Sequence, residues 1–170
     1  MRHGGLIPPL APKLHFAEIV DVKNYRALLP LLALLALAFP AASQAESKWE
    51  TDFKKAQDEA KNDHKLLFVN FTGSDWCGWC IKLDREVFSK PAFQEYASKN
   101  LVLVEVDFPR AKAQSDSIKK QNEELAQHYG IQGFPTIVVL NGQGRKVGEL
   151  GYMEGGATAF IAELEKLPKG

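Results

Sequence analysis

Two nearly continuous apolar runs dominate the pattern of hydrophobic and polar positions, at residues 66–71 (LLFVNF) and 101–108 (LVLVEVDF). Runs of this length are typical of strands covered on both faces, as in a parallel sheet. Between them lie helical patterns at residues 77–88 and 91–99, and Ser89 suits the N-cap of the second. The succession of strand, helices and strand predicts a βαβ unit.

Further helices are predicted on either side of this unit. Residues 49–62 carry apolar side chains at spacings of three and four with charges between them, which is the pattern of an amphipathic helix. After a polar loop at 109–117, residues 118–129 are expected to be helical. This helix should end at Gly130, where a left-handed cap would sit.

A hairpin and a helix close the chain. Residues 136–140 and 145–152 flank the turn Asn141-Gly142-Gln143-Gly144, which predicts two antiparallel strands, and residues 156–167 form the last helix. The predicted order is therefore helix, strand, helix, strand, helix, hairpin, helix, without an internal repeat. A chain of 170 residues that is 45% hydrophobic and 25% charged fits one globular domain with a short addition.

The short addition has the three parts of an export signal. Lys23 and Arg26 precede an apolar run at residues 28–39, and small residues follow it. Ser43 and Ala45 are small enough for positions −3 and −1 of a signal-peptidase cleavage site. We therefore expect cleavage after Ala45.

This cleavage divides the chain into an extension with a signal peptide at residues 1–45 and a domain at residues 46–170. The expected location is the periplasm or the medium. The alternative is an uncleaved membrane anchor, although the run at 28–39 is shorter than the roughly 20 residues that cross a bilayer. Residues 1–21 have no pattern of their own and suggest a start codon assigned too early.

Charge excludes one class of function. Basic and acidic residues each number 21, so no surplus of positive charge draws the protein to nucleic acid. Removal of residues 1–45 takes away four basic and two acidic residues, which leaves 17 and 19. The mature domain is mildly acidic.

The candidate chemistry lies in Cys77-Gly78-Trp79-Cys80, which holds both cysteines of the chain. Two cysteines separated by two residues, where a strand gives way to a helix, indicate a redox couple. A structural staple is disfavoured because so short a loop removes little entropy from the unfolded chain. A zinc site needs four ligands, and His64 and His128 are not at ligand spacing. We expect no metal and no cofactor.

The two cysteines have different predicted roles. A thiol attacks a disulfide as its thiolate, and a free cysteine has a pKa of about 8.5. At a helix N-terminus the macrodipole stabilises an anion by about 0.3–2 kcal/mol, which lowers the pKa of Cys77 by about one unit. Cys80 lies one turn further, faces the same side and would resolve the mixed disulfide that Cys77 forms.

Trp76-Cys77-Gly78-Trp79-Cys80 at a strand-to-helix junction, followed by Gly133-Phe134-Pro135-Thr136 before a strand, resembles a thioredoxin-fold protein over residues 49–167. The narrower similarity is to exported thioredoxin-like proteins and to the C-terminal domain of the periplasmic transmembrane reductant transporter. The resemblance implies a mixed central sheet with helices on both faces and a C-terminal hairpin plus helix. It also implies a cis bond before Pro135 and a substrate groove formed by Trp76, Gly78, Trp79, Phe134, Pro135 and Thr136.

Two departures from the thioredoxin pattern limit what carries over. Asn70 falls where thioredoxins bury an aspartate beneath the second cysteine, and an amide cannot accept a proton from Cys80. Asp84, four residues after Cys80, is the candidate substitute, with a solvated surface charge as the alternative interpretation. The pair Gly78-Trp79 differs from reducing thioredoxins and from the His-containing oxidants, and leaves the redox potential open.

These observations predict an exported disulfide oxidoreductase that acts as a reductase. The alternatives are an oxidase or isomerase, and a non-catalytic binding module whose cysteines sense redox state. The expected partners are disulfide-bearing exported proteins and an upstream thiol donor such as a membrane reductant transporter. We expect a monomer.

Overall fold

The computed structural model describes residues 48–168. The signal at 1–45 and the expected first mature residue, Glu46, lie outside this part of the chain. The described strands are β1 (Trp49–Glu50), β2 (Leu66–Thr72), β3 (Leu101–Asp107), β4 (Thr136–Leu140) and β5 (Lys146–Leu150). The described helices are α1 (Phe53–Asn62), α2 (Gly78–Leu83), α3 (Pro91–Asn100), α4 (Asp116–Tyr129) and α5 (Gly156–Glu165), with a π-helical segment (Asp84–Phe88) directly after α2.

The five strands form a mixed sheet in the order β1-β3-β2-β4-β5. β1, β3 and β2 are parallel, whereas β4 pairs antiparallel with β2 and β5 pairs antiparallel with β4. The register of the central pair places Leu66 opposite Leu101 and Asn70 opposite Glu105. The predicted βαβ unit, hairpin and fold class are confirmed.

Two apolar cores cover the two faces of the sheet. On one face, Phe68 and Leu103 contact side chains of α2, the π-helical segment, α3 and α5, among them Leu83 and Phe160. The other face packs against α1 and α4. Both faces of β2 are therefore covered, which accounts for the nearly continuous apolar run at its positions.

The first predicted helix was placed too early. Trp49 belongs to β1, which pairs with β3 at Leu103, and α1 begins at Phe53 after its N-cap Asp52. The Trp49 ring packs on Phe68 at a centroid distance of 6.0 Å. Its apolar position fitted a helical spacing, but the residue is buried through a strand contact that is distant in sequence.

The other boundaries differ in detail. The helix predicted at 77–88 changes from α to π at Asp84, and Ser89 is not the cap of α3, because Lys90 holds that position without a side-chain hydrogen bond. α4 begins at Asp116, two residues earlier than predicted, because the Ser115 hydroxyl caps it. The left-handed cap at Gly130 is confirmed with φ of 66°.

Within residues 48–168, no helix combines the length and the apolar character that a membrane crossing needs. The apolar run at 28–39 lies outside this part of the chain. The alternative of a membrane anchor therefore stays a prediction.

Candidate active site

Cys77 and Cys80 form a disulfide at the start of α2, with their Cα atoms 5.2 Å apart. Cys77 is the N-cap, and its Sγ accepts the backbone N–H of Cys80 at 3.2 Å. An N-cap side chain faces the unpaired N–H groups of the first helical turn, which favour negative charge. The helix therefore provides the sulfur of Cys77 with a hydrogen-bond donor and a positive local field.

Both cysteines are buried, with exposed fractions of 7% for Cys77 and 4% for Cys80. Cys80 is the less exposed of the two, although the difference is small. Local surroundings therefore distinguish the two sulfurs more than access does. Which cysteine attacks and which resolves stays a prediction.

Trp76 precedes the pair and is held from several sides. Its indole N–H donates to the carbonyl of Phe108 at 2.7 Å, and the guanidinium of Arg110 lies 3.9 Å from the ring centroid. Beneath the ring is Gly73, where an added Cβ would approach within 2.5 Å. Trp76 is 37% exposed, so part of the residue remains open to a partner.

Two acidic residues connect the loop before Cys77 with the end of β3 and the segment after it. The carboxylate of Asp75 accepts the backbone N–H groups of Arg110 and Ala111 at 3.0 and 2.7 Å, and these hydrogen bonds lower the pKa of Asp75. The carboxylate of Asp107 accepts the backbone N–H and the hydroxyl of Ser74 at 2.8 and 2.6 Å. Local sequence patterns do not reveal these hydrogen bonds, because they join residues more than 30 positions apart.

Trp79 lies between the cysteines and is 57% exposed. Its ring packs on Tyr152 at a centroid distance of 5.0 Å, and the ammonium of Lys82 lies over both rings. A hydrogen bond with Tyr152 raises the pKa of Lys82, and the Tyr152 hydroxyl donates to Glu86 at 2.9 Å. Trp79 thus offers an exposed aromatic face whose position is fixed from α2 and from the segment after β5.

The bond between Phe134 and Pro135 is cis, as the resemblance implied. Thr136 begins β4 opposite Phe71, near the end of β2 that leads to the cysteines, and its hydroxyl donates to the carbonyl of Gly133 at 2.8 Å. The Phe134 ring packs on Trp76 at 6.0 Å between centroids. The two halves of the sequence motif are therefore joined in space through Trp76 and Phe134.

The two groups predicted to serve Cys80 have different surroundings. Asp84 is exposed and accepts the hydroxyl of Ser89 at 3.1 Å, as a solvated helix charge would. Asn70 is 6% exposed, and its Oδ1 has no hydrogen-bond partner among the described residues. Opposite Asn70 lies Glu105, a carboxyl within the apolar run of β3. In the sequence, Glu105 stands out as an acidic residue within the apolar run at 101–108.

A cluster of three or more His, Cys, Asp or Glu side chains suited to a metal does not occur within residues 48–168. Gly78 leaves open space beside the pair, since an added Cβ would meet no atom within 4 Å. The geometry brings together the two cysteines, Trp76, Trp79 and the segment around Pro135. Such a site can exchange disulfides with an extended segment of a partner.

Comparison with known proteins agrees with this geometry. Residues 53–168 match the family model described as a thioredoxin-like domain. The chain is 34% identical over 125 residues to the disulfide bond reductase DsbH of Chlamydia pneumoniae. The aligned segment covers 74% of this chain and 75% of DsbH. A solved structure of DsbH oxidoreductase superposes with a TM-score of 0.70 at 33% identity, covering 75% of this chain and 88% of that one.

The C-terminal domain of DsbD from Neisseria meningitidis, solved in its oxidised form, has the same fold. It superposes with a TM-score of 0.50 at 21% identity and covers 68% of this chain and 92% of that chain.

Proposed function

This chain belongs to the thioredoxin-like domain family and is a thiol–disulfide oxidoreductase, and from that premise we propose that it reduces protein disulfides outside the cytoplasm. The observation that carries the direction is the sparse stabilisation of the Cys77 sulfur. Its hydrogen bond among the described residues comes from the backbone N–H of Cys80. A modestly stabilised thiolate makes a reducing couple, whereas strong oxidants stabilise their reduced form.

The nearby cations support this direction. Lys82 and Arg110 lie over the rings of Trp79 and Trp76, and neither donates a hydrogen bond to a cysteine sulfur. The related DsbH carries the name disulfide bond reductase, which agrees with the same direction.

The proposed reaction transfers two electrons from the cysteine pair to a partner disulfide. The thiolate of Cys77 attacks one sulfur of the partner, forms a mixed disulfide and releases the other sulfur as a thiolate, which takes a proton from water. Cys80 then loses its proton and attacks the Cys77 sulfur. The Cys77–Cys80 disulfide forms, and the second partner sulfur leaves as a thiolate that is protonated in turn.

The partner segment would lie along the aromatic groove beside the disulfide. Trp76 and Trp79 supply exposed apolar area, and Gly78 leaves room between them. The backbone of Phe134, before cis Pro135 and Thr136, would pair with an extended segment by a short strand addition. Such pairing reads the shape of the chain more than its sequence, which suits a reductase with several substrates.

The proposed location and partners follow from the signal at 1–45 and the domain at 46–170. The substrates would be exported proteins with disulfides, and an upstream thiol donor such as a membrane reductant transporter would restore the dithiol. The protein would act as a monomer.

The redox potential of the Cys77–Cys80 couple tests the direction. Equilibration with glutathione buffers, followed by measurement of the reduced fraction, should give a potential below about −200 mV, closer to thioredoxin at about −270 mV than to DsbA at about −120 mV. The physical reason is that the Cys77 sulfur has one hydrogen-bond donor among the described residues, the backbone N–H of Cys80. A potential above about −150 mV would contradict the reductase and favour an oxidase or isomerase.

A further inference from the structure

Glu105 is an acidic residue of β3, inside the sheet. It lies opposite Asn70 in the register of β2 and β3 and is partly buried. Its carboxyl has neither a hydrogen bond nor an ion pair with any residue of the described chain. Beside it, the buried Oδ1 of Asn70 also lacks a donor.

The alternation of side chains places this pair on the face that α2 covers. Phe68 and Leu103 belong to the core that contains Leu83 of α2, and Asn70 and Glu105 are the next residues of their strands on the same face. α2 begins just beyond the end of β2. Thr72 and Asp107 are the last residues of β2 and β3 on this face, and Asn70 and Glu105 are the pair directly before them.

Cys80 lies in the first turn of α2. It precedes Leu83 by three residues, so the two side chains share a helix face, and both are buried. The negative charge of Asp84, one turn after Cys80, acts on Glu105 and helps to raise the pKa of its carboxyl.

We propose that Glu105 takes the proton from the Cys80 thiol when Cys80 resolves the mixed disulfide, an inference that rests on the roles of Cys77 and Cys80 in the proposed function. The Cys80 S–H bond breaks, its proton passes to the carboxylate, and the thiolate displaces the partner sulfur from Cys77. The departing partner thiolate then takes a proton, which returns Glu105 to its ionised form. The two electrons pass to the partner as before.

The surroundings of Glu105 suit this role. Burial is the main cause of its raised pKa, and the charges of Asp107 and Asp84 add to it, whereas Lys112 opposes them. A base is most effective when its pKa lies near the working pH, so this increase improves a carboxylate as a proton acceptor. When Glu105 is protonated, its O–H becomes a hydrogen-bond donor. The Oδ1 of Asn70, the residue opposite it, has no donor of its own.

The two groups considered from the sequence are poorer acceptors. The oxygen of Asn70 belongs to a neutral amide, which does not take up a proton. Asp84 is exposed and holds the hydroxyl of Ser89. Glu105 is the inward-facing carboxyl at this end of β3 that has no other partner among residues 48–168.

The test follows the reaction of the reduced protein with one equivalent of dithiobis(nitrobenzoate), which releases a coloured thiolate twice. The first release reports attack by Cys77, and the second reports resolution by Cys80. We expect Glu105→Gln to slow the second release about a hundredfold, the lower end of the range for general acid–base catalysis, and to leave the first within about twofold. Glu95→Gln, at an exposed glutamate of α3, is the matched control and should change neither release.

The pH profile distinguishes proton transfer from a structural effect. In the unsubstituted protein, the second release should accelerate as pH rises through the ionisation of Glu105, because the carboxylate is the acceptor. Glu105→Gln should lose this step and retain the step that belongs to the thiol. Its free energy of unfolding should exceed that of the unsubstituted protein above this pH range, since a raised carboxyl pKa means that ionisation destabilises the folded state.

The remaining outcomes contradict one proposal or the other. An unchanged second release, equal slowing of both releases, or a larger effect in Asp84→Asn would overturn the role of Glu105. If Cys77→Ser left the rate of the first release unchanged, Cys77 would not be the attacking thiol. That result would overturn this assignment and with it the proposed function.

Discussion

At the scale of single residues, the position of Trp76 depends on the absence of a side chain at Gly73. The indole ring lies over Gly73, and its N–H is fixed to the carbonyl of Phe108. Arg110 also contacts the ring. The ring therefore cannot move away without losing its contact with Arg110 and a hydrogen bond. A glycine that precedes the cysteine motif by a few residues thus determines where the groove begins.

Substitution of Gly73 by alanine should destabilise the fold by about 1–3 kcal/mol, because its Cβ would overlap the ring of Trp76. It should also lower kcat/KM for a disulfide substrate, since the groove loses one wall. Chemical denaturation and a reductase assay measure the two effects. Gly142→Ala is the control, because its added Cβ would lie at an ordinary distance of 3.8 Å from the nearest atom. Equal losses of stability and kcat/KM in the two variants would show that any loop glycine gives this effect when replaced by alanine, and that contact with Trp76 is not the cause.

At the scale of elements, α4 is joined to the end of β3 by a buried amide. Asn122 is 1% exposed, and its Nδ2 donates to the carbonyl of Asp107 at 2.9 Å. Gln114 donates to the same carbonyl at 3.1 Å from the loop before α4. Since the side chain of Asp107 holds Ser74, this connection transmits the position of α4 to the loop that carries the cysteines.

Asn122→Ala should lower the free energy of unfolding by about 1–3 kcal/mol, because it removes a buried hydrogen bond and leaves its cavity. Gln114→Ala should have a smaller effect, since Asn122 still satisfies the carbonyl of Asp107. Urea titration of both variants makes the comparison. If Gln114→Ala were the more damaging substitution, the loop rather than α4 would support the end of β3.

At the scale of the whole molecule, the site lies at the edge where β2 and β3 end and β4 begins. Parallel strands bring their carboxyl ends to one edge, and the antiparallel β4 brings its start to the same place. The loop that carries the cysteines follows β2, the segment with Arg110 follows β3, and Pro135 precedes β4. Three segments that are distant in sequence therefore meet because of strand direction.

The whole chain also carries the prediction about export. Because Ser43 and Ala45 end the signal pattern, the protein isolated from its natural host should begin at Glu46 and be recovered in the soluble extracytoplasmic fraction. N-terminal sequencing and cell fractionation measure this. Substitution of Ala45 by a bulky residue should prevent cleavage and serves as the control. A native chain that retains residues 28–39 in the membrane fraction would make this an anchored protein.

The sequence by itself determined the elements whose signals are local. The apolar run of β2, the spacing of Cys77 and Cys80 and the left-handed cap at Gly130 depend on neighbours within a few residues. Tertiary structure decided what depends on pairing between distant segments. Trp49 became a strand residue because β3 pairs with it, and Glu105 came to lie beside Asn70 through the register of two strands. Register and loop contacts arise from packing across more than 30 residues of chain, which local spacing does not encode.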